Sequence, residues 1–578
     1  MVTALAGTPA AQQREAAVRT RVAELEDRLG DPTDPVNPLG YTTLLLADRA
    51  AVPFAAGEAA LDDFGLLAEY VPVELGGRLA GVDGLVRVMR PVMRRDVGLA
   101  MGYGFTSCMA ACDVWMTGTE AQRTWLAGLL LSGRKAAIAQ PETAHSNDYV
   151  RSHVTARPAP GGYLLSGAKQ MINNLGRAAA LVLFSRTDPV PGRRSHTALL
   201  LDPERLPAER AVVTPRRPEV GLRGCRFAGV TFDDCPVPES ALLGPDGSGI
   251  DTALRSFQIT RTVVAAMSVG AVDTSLRTAV RAAHDQSGGW RRGSDRSGAT
   301  TALAGAFVNL LLYDALAVVA TRALHVLPAE TSVYSAALKY LLPKVLTESM
   351  YDLSIVLGSG FYTRDGILGI FQKHVRDVPV LSLGHAGTVA CQATVIPQMP
   401  RLARGSWFTH PEAPEALFQV HGDLPPLEWD RLALACGRDS LSASLIALTE
   451  RVHGLGAPER ALRGYAQALV GELRDLRARV LAADATDHHA VNFALMDRYA
   501  LLLAAAAVLG VWYHARYGGD PFLADPCWAA AALHAVARRL GTRVAGLPAE
   551  CDLRIRQEVQ LRFAAQSSYD LYNTPVPG

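Results

Sequence analysis

The order of residue textures constrains this chain more than any other feature. From Glu15 to about Lys135 apolar residues recur at helical spacing, as in Thr42-Thr-Leu-Leu-Leu-Ala-Asp and Leu85-Val-Arg-Val-Met-Arg-Pro-Val-Met, with Pro and Gly at the breaks. Between Ala136 and Leu243 the texture changes to short β-type runs such as Ala180-Leu-Val-Leu-Phe, separated by turn clusters such as Pro158-Ala-Pro-Gly-Gly. Long helical periodicity returns from Gly249 to about Arg404, interrupted by the polar, Gly-rich stretch Ser287 to Gly298, which is expected to be a loop or a broken helix. After the Pro-bearing segments at His410 and Leu424, Ala- and Leu-rich helices with Arg on their polar faces run from about Leu427 to Tyr569. The expected class is therefore α+β, mostly α. The parts are an N-terminal helical domain (1–135), a middle β domain (136–243), a second helical domain (244–405) and an additional C-terminal helical domain (406–578).

Composition excludes several alternatives. A chain of 578 residues with 49% hydrophobic and 20% charged residues is ordinary globular material rather than disordered. Its 57 Lys+Arg offset 56 Asp+Glu, so no net field drives it toward nucleic acid, and none is expected as a partner. The first twenty residues lack a basic segment followed by an apolar one, and the expected location is cytoplasmic. The longest uncharged apolar segment, Tyr499 to Tyr513, is shorter than the roughly 20 residues of a spanning helix, so no transmembrane segment is expected. Of eight cysteines only Cys108 and Cys112 lie close together, without partners at zinc-like spacing. Buried thiols, and no metal centre, are expected.

Several segments, in order and at near-family spacing, resemble the acyl-CoA dehydrogenase family over about Phe64 to Arg404. They include Phe64-Gly-Leu-Leu-Ala-Glu-Tyr-Val-Pro-Val-Glu-Leu-Gly-Gly and Gly118-Thr-Glu-Ala-Gln-Arg-Thr-Trp-Leu. Ala139-Gln140-Pro141-Glu142 stands where the family has T-E-P-(E/D), and Gly162-Tyr-Leu-Leu-Ser-Gly-Ala-Lys-Gln-Met-Ile-Asn-Asn resembles its G-Y-x-(L/I)-(N/S)-G-x-K-x-W-I-(T/S)-N run. The run Gly221 to Pro238 and the later Leu357-Gly-Ser-Gly-Phe…Arg376-Asp377 complete the set. The resemblance implies a middle domain that is β-barrel-like and a C-terminal four-helix bundle, with FAD held between them and against a neighbouring subunit. It implies Ile138, Ala139, Ser146, Ile172, Asn173, Arg261, Gly358 and Thr388 as cofactor-binding positions. For each of these an ordinary strand, turn or helix role is the competing reading.

The departures from the family pattern are as informative. Met171 stands at the family's stacking Trp, and a thioether stacks less well than an indole. The second-subunit clamp Y-x-x-x-R-x-x-F-G aligns with Ala282 to Trp290 and has lost its Arg, leaving Arg291, Arg292 or Arg296 as substitutes or as solvated loop residues.

The family reaction removes an α-proton from an acyl thioester while the β-hydrogen leaves as hydride to the flavin, and most members use a glutamate base. Here the run after Arg376-Asp377 reads Val-Pro-Val-Leu-Ser-Leu-Gly384-His385-Ala386-Gly387-Thr388 and holds no carboxylate. Gapless alignment puts His385 at the glutamate's place; anchoring on Gly387-Thr388 puts Ala386 there. The alternative family site on the first helix after the β domain is Thr260, so both usual positions are empty. An imidazole with a pKa near 6.5 can accept a proton at about pH 7, so His385 is the candidate base, with a polar lining role as its rival. Glu142, Asp148, Asp365 and Asp377 are expected to cap turns or pair with arginines.

The implied activity is FAD-dependent α,β-dehydrogenation of an acyl thioester carried on CoA or an acyl carrier protein. An electron acceptor such as an electron-transfer flavoprotein would be its partner. The C-terminal extension resembles in position the extra domain of very-long-chain-type relatives, which implies a homodimer. Two rivals stand beside this reading: altered flavin chemistry on a specialised biosynthetic intermediate, and a non-catalytic scaffold.

Overall fold

The computed structural model describes residues 9–140, 142–145, 148–216, 218–287, 293–384, 387–483 and 490–578. The chain divides into two compact units. One comprises Thr42–Gly81 and Asp96–Thr260, the other Met1–Tyr41, Val82–Arg95 and Arg261–Gly578.

The first unit is built on an eight-stranded mixed sheet. Its strands are β1 (Lys135–Ala139), β2 (Thr155–Ala159), β3 (Gly162–Asn173), β4 (Ala178–Arg186), β5 (His196–Leu201), β6 (Ala211–Thr214), β7 (Phe227–Pro238) and β8 (Leu242–Leu243). They run in the order β6-β7-β3-β2-β4-β5-β8, with β1 parallel to β4. The Pro158-to-Gly162 cluster makes the β2–β3 hairpin, and Gly161 takes φ +79°, a conformation that favours glycine. Alternate residues Leu181 and Leu183, Leu199 and Leu201, Val230 and Phe232, and Cys235 and Val237 point into one apolar core, as a two-residue period requires. Helix Thr106–Thr117 packs on β1, where the Ser107 hydroxyl accepts from the Ala136 N–H at 2.9 Å.

Just before that helix, Met101–Phe105 forms a π-helical turn. The carbonyls of Met101 and Gly102 are taken up by the side-chain amides of Asn173 and Asn174, each at 2.9 Å.

The second unit is helical. Its long helix Gly293–Val326 packs against Thr331–Leu341, Glu348–Leu357, Ala490–Ala515, Pro526–Leu540 and Ala549–Ala564. Helix Val82–Arg95 packs on Val269–Ser287 and carries Arg87, Arg90 and Arg94 on one face, at i, i+3 and i+7. Each of these buried arginines meets a carboxylate. Arg87 pairs with Glu15 at 2.7 Å, Arg90 with Asp314 and with Asp570 at 3.0 Å, and Arg94 with Glu26 at 2.9 Å and Asp273 at 2.8 Å. This ladder ties helix Pro9–Leu29 and the C-terminal tail to the same arginine face.

All eight cysteines are buried, and none is in a disulfide. Four helical stretches, Val97–Thr117, Gly249–Asp285, Gly298–Val326 and Ala490–Ala515, are long and apolar enough to cross a membrane by length and composition, and 78–94% of each apolar window is buried inside the fold. The expectation weighed only the last of these, because charged residues interrupt the others.

Candidate functional site

In the sheet unit the expected cofactor positions collect at the end of β1 and along the second half of β3. Ile138 and Ala139 are buried on β1, paired with Val182 and Leu183 of β4. The Gln140 side chain that follows is also buried, and its Nε2 has no hydrogen-bond partner. On β3 the pairing with β7 slips between Lys169 and Ile172, and Met171 sits in that irregularity with φ +59° and 41% exposure. A bulge re-aims a side chain that regular pleating would fix, and a non-glycine residue held at positive φ is strain of the kind found at functional sites. Ile172 is buried. Asn173 donates to Met101 O and accepts from the Arg226 N–H at 2.9 Å, leaving one N–H of its side-chain amide. Ser146 lies outside the described residues.

A polar cluster stands beside these positions. Glu142 accepts from the Ser152 hydroxyl at 2.5 Å and from the N–H groups of His153 and Val154, and Lys169 Nζ lies 3.2 Å away. Burial raises the Glu142 carboxyl, but the Lys169 charge and these bonds outweigh it and hold its pKa at about 2. Burial pulls Lys169 down to about 8 against the charge of Glu142. Lys169 also donates to Gln140 O at 2.8 Å, fixing the end of β1. Glu142 therefore caps a turn and pairs with a cation, a lysine rather than an arginine.

In the helical unit, Arg376 and Lys373 both bond Asp377, at 2.8 Å each. Burial opposes ionisation of this carboxyl, but the two cations hold it well below the usual carboxylate range. The Arg-Asp pair is thus an internal clamp of helix Gly366–Leu383. The next feature was not singled out from sequence. Lys339, completely buried on helix Thr331–Leu341, donates to Gly384 O at 2.7 Å, and burial lowers its pKa to about 7. Gly384 is the last described residue before His385. The base candidates His385 and Ala386 lie outside the described residues. Arg261 is buried and reaches Thr394 Oγ1 at 3.4 Å, while Thr260 bonds back to Ser256 O. Gly358 is exposed at φ +55° with open space around its missing Cβ, and Thr388 begins helix Thr388–Val395, half-buried.

The degenerate clamp is only partly described. His284 meets Gln560 Oε1 at 2.6 Å and packs on Phe563, so this helix end is engaged by helix Ala549–Ala564 of the extension. Arg291 and Arg292 lie outside the described residues, as does the Arg296 side chain.

The signal for Lys339 was present in the sequence: a single lysine in the otherwise uncharged run Val333 to Leu342. Asp113 was missed for the same reason. It is fully buried on helix Thr106–Thr117, both its oxygens lack a hydrogen-bond partner, and burial pushes its pKa up to about 8 against a weak pull from Ser256. Between about pH 4 and pH 8 the native state holds a proton that the unfolded chain has lost, so stability falls as pH rises through that window. Asp113→Asn is expected to raise stability at pH 8 by at least ~1 kcal/mol, with the gain vanishing toward pH 4 in urea titrations.

Residues 247–398 match the family model described as "Acyl-CoA dehydrogenase, C-terminal domain". This chain carries an acyl-CoA dehydrogenase C-terminal domain. The human mitochondrial short-chain specific acyl-CoA dehydrogenase is 26% identical over 235 residues, 40% of this chain and 56% of that protein. The chain thus spans about half the length of the curated relatives it matches. An acyl-CoA dehydrogenase from Bacillus anthracis, solved in complex with FAD, shares the fold over 96% of both chains at 15% identity and a TM-score of 0.67. Butyryl-CoA dehydrogenase from Megasphaera elsdenii covers 68% of this chain and 98% of its own, at 18% identity and a TM-score of 0.55. The Bacillus protein thus shares the fold along nearly the whole of this chain, C-terminal extension included.

Proposed function

We propose that this protein is an FAD-dependent oxidoreductase that removes hydrogens from the α and β carbons of an acyl thioester, with CoA or an acyl carrier protein as the handle. The observation that carries the reading is the family's C-terminal domain at 247–398, which contains Arg261, the Arg376-Asp377 clamp and the 384–388 segment. The residues present fit FAD: an orphaned buried amide donor at Gln140 and an apolar thioether exposed at Met171. Bound FAD would supply the acceptor for the β-hydrogen leaving as hydride. His385 is the residue proposed to take the α-proton on a ring nitrogen. Lys339 holds Gly384, and with it the start of that segment.

A homodimer belongs to this reading. It is supported by Tyr351 and Ile355, one turn apart on helix Glu348–Leu357 and 53% and 73% exposed, with Tyr362, Leu383 and Val389 also exposed in the same unit. An electron-transfer flavoprotein is the proposed acceptor. A cytoplasmic location belongs to the same reading, supported by eight buried cysteines of which none is in a disulfide. The four sequence segments 1–135, 136–243, 244–405 and 406–578 are proposed as the functional divisions.

Purified protein should be yellow, and an acyl thioester added without oxygen should bleach it. A colourless protein that takes up no FAD would leave only a scaffold. His385→Ala is expected to slow bleaching by at least about tenfold, and an unchanged rate would remove His385 from the chemistry.

A further inference from the structure

The group formed by Glu142, His145 and His153 is explained neither by flavin binding nor by thioester chemistry. We propose that it is a binding site for one divalent transition-metal ion of the Zn²⁺ class, held by two imidazoles and one carboxylate.

The geometry starts from the backbone. Glu142 and His145 belong to one turn, closed by the His145 N–H donating to Glu142 O at 3.0 Å. His153 arrives from the lead-in to β2, and its N–H bonds the Glu142 carboxylate at 2.8 Å. Three side chains of the ligand types that zinc prefers therefore converge from two segments fixed to one another. His145 Nε2 lies 3.1 Å from His153 Nε2 and 3.4 Å from its Nδ1. Two nitrogens bound to one tetrahedral ion at about 2.0–2.1 Å stand about 3.4 Å apart, so the imidazoles already have the spacing of ligands. One potential ligand atom from each of the three residues lies within 4.8 Å of the other two, and the histidine side chains are exposed enough to turn toward a shared ion on binding.

The carboxylate is prepared in the way metal sites require. Glu142 Oε1 accepts from the Ser152 hydroxyl and the Val154 N–H, while Oε2 accepts from the His153 N–H and keeps a lone pair. Bonds of this kind orient a ligand and remove the entropy of ordering it on binding. Lys169 lies beside the carboxylate and works against a second positive charge. The two neutral nitrogen donors make the site favour a borderline ion over Mg²⁺ or Ca²⁺, which prefer all-oxygen shells. Three protein ligands leave a fourth position for water.

The test is a Co²⁺ titration of the untagged, full-length protein after chelator treatment, read by the visible d–d absorption of a nitrogen-ligated ion and followed by displacement with Zn²⁺. The expected result is one equivalent per chain, with affinity at least about tenfold lower in His153→Ala and in His145→Ala. Neither substitution opens a core cavity, and both variants should melt like the wild type in chelator. Ser152→Ala, which loosens Glu142, should weaken binding by about tenfold. The proposal is overturned if the wild type binds no Co²⁺ at tens of micromolar, or if either histidine variant binds as tightly as the wild type. Flavin content is not a readout here, so failure of the flavoenzyme reading leaves this result unaffected.

Discussion

Arg90→Ala is expected to cost about 3–5 kcal/mol, the usual penalty for leaving a buried carboxylate without its cation. Arg90 is 2% exposed and bonds both Asp314 and Asp570, which are equally inaccessible. Burial already pushes the Asp314 carboxyl up, while Arg90 and Arg94 overcome the burial of Asp570 and bring it down to about 2. The sign of the pH dependence follows. A carboxyl with a depressed native pKa stabilises the fold above its unfolded value near 3.9 and loses that contribution as pH falls toward 2. The deficit of Arg90→Ala should therefore be largest above about pH 4 and narrow as acid protonates the stranded pair. Urea unfolding at pH 7 and pH 3 measures both, and a loss under ~1 kcal/mol at pH 7 would mean that the ladder does not bear on stability.

Lys339→Met is expected to reduce thioester-driven bleaching by at least about tenfold, on the scale of a misplaced catalytic group, while leaving the fold intact. The substituted side chain fills a similar volume but gives Gly384 O no donor, so the start of the 384–388 segment loses its tether. Stability separates this from simple damage. In the wild type, burial holds the lysine near 7 against 10.5 in the unfolded chain. The unfolded state thus binds more protons between those values, and stability rises with pH across the window. Each tenfold difference in proton affinity is worth about 1.4 kcal/mol, so the rise should be easy to measure, and it should disappear in Lys339→Met. A variant that bleaches normally would show that the Gly384 tether is dispensable; one that retains the pH-dependent rise would show that another group produces it.

The fold class was legible because it rests on periodicity. Alternation in runs such as Ala180 to Phe184, Pro-Gly turns at 158–162 and apolar spacing in the long helices reach the same answer at every level. The site was legible only in outline. Motif order placed Arg261, Asp377 and the 384–388 segment, but nothing local in a sequence says that Lys339 will meet Gly384, 45 residues away, or that Asn173 will satisfy a π-helical turn at Met101, 72 residues away. Glu142 reads from sequence as a residue that caps a turn or pairs with an arginine; its carboxylate accepts from the His153 and Val154 N–H groups and pairs with Lys169. Its meeting with His145 and His153 depends on how the turn folds back onto the lead-in to β2, a tertiary fact that composition does not encode. The same limit applies to Asp113, whose protonation depends on what surrounds it rather than on its neighbours in the chain.

The pairing of Arg90 with Asp570 spans 480 residues. Synthesis runs from the N-terminus, so the arginine leaves the ribosome long before its second carboxylate exists. Until then the Val82–Arg95 helix has only part of its countercharge, and the nascent chain waits in an incomplete state whose closure depends on one very distant contact. Formation of this ladder should accordingly be slow, because its closure waits on a contact 480 residues along the chain.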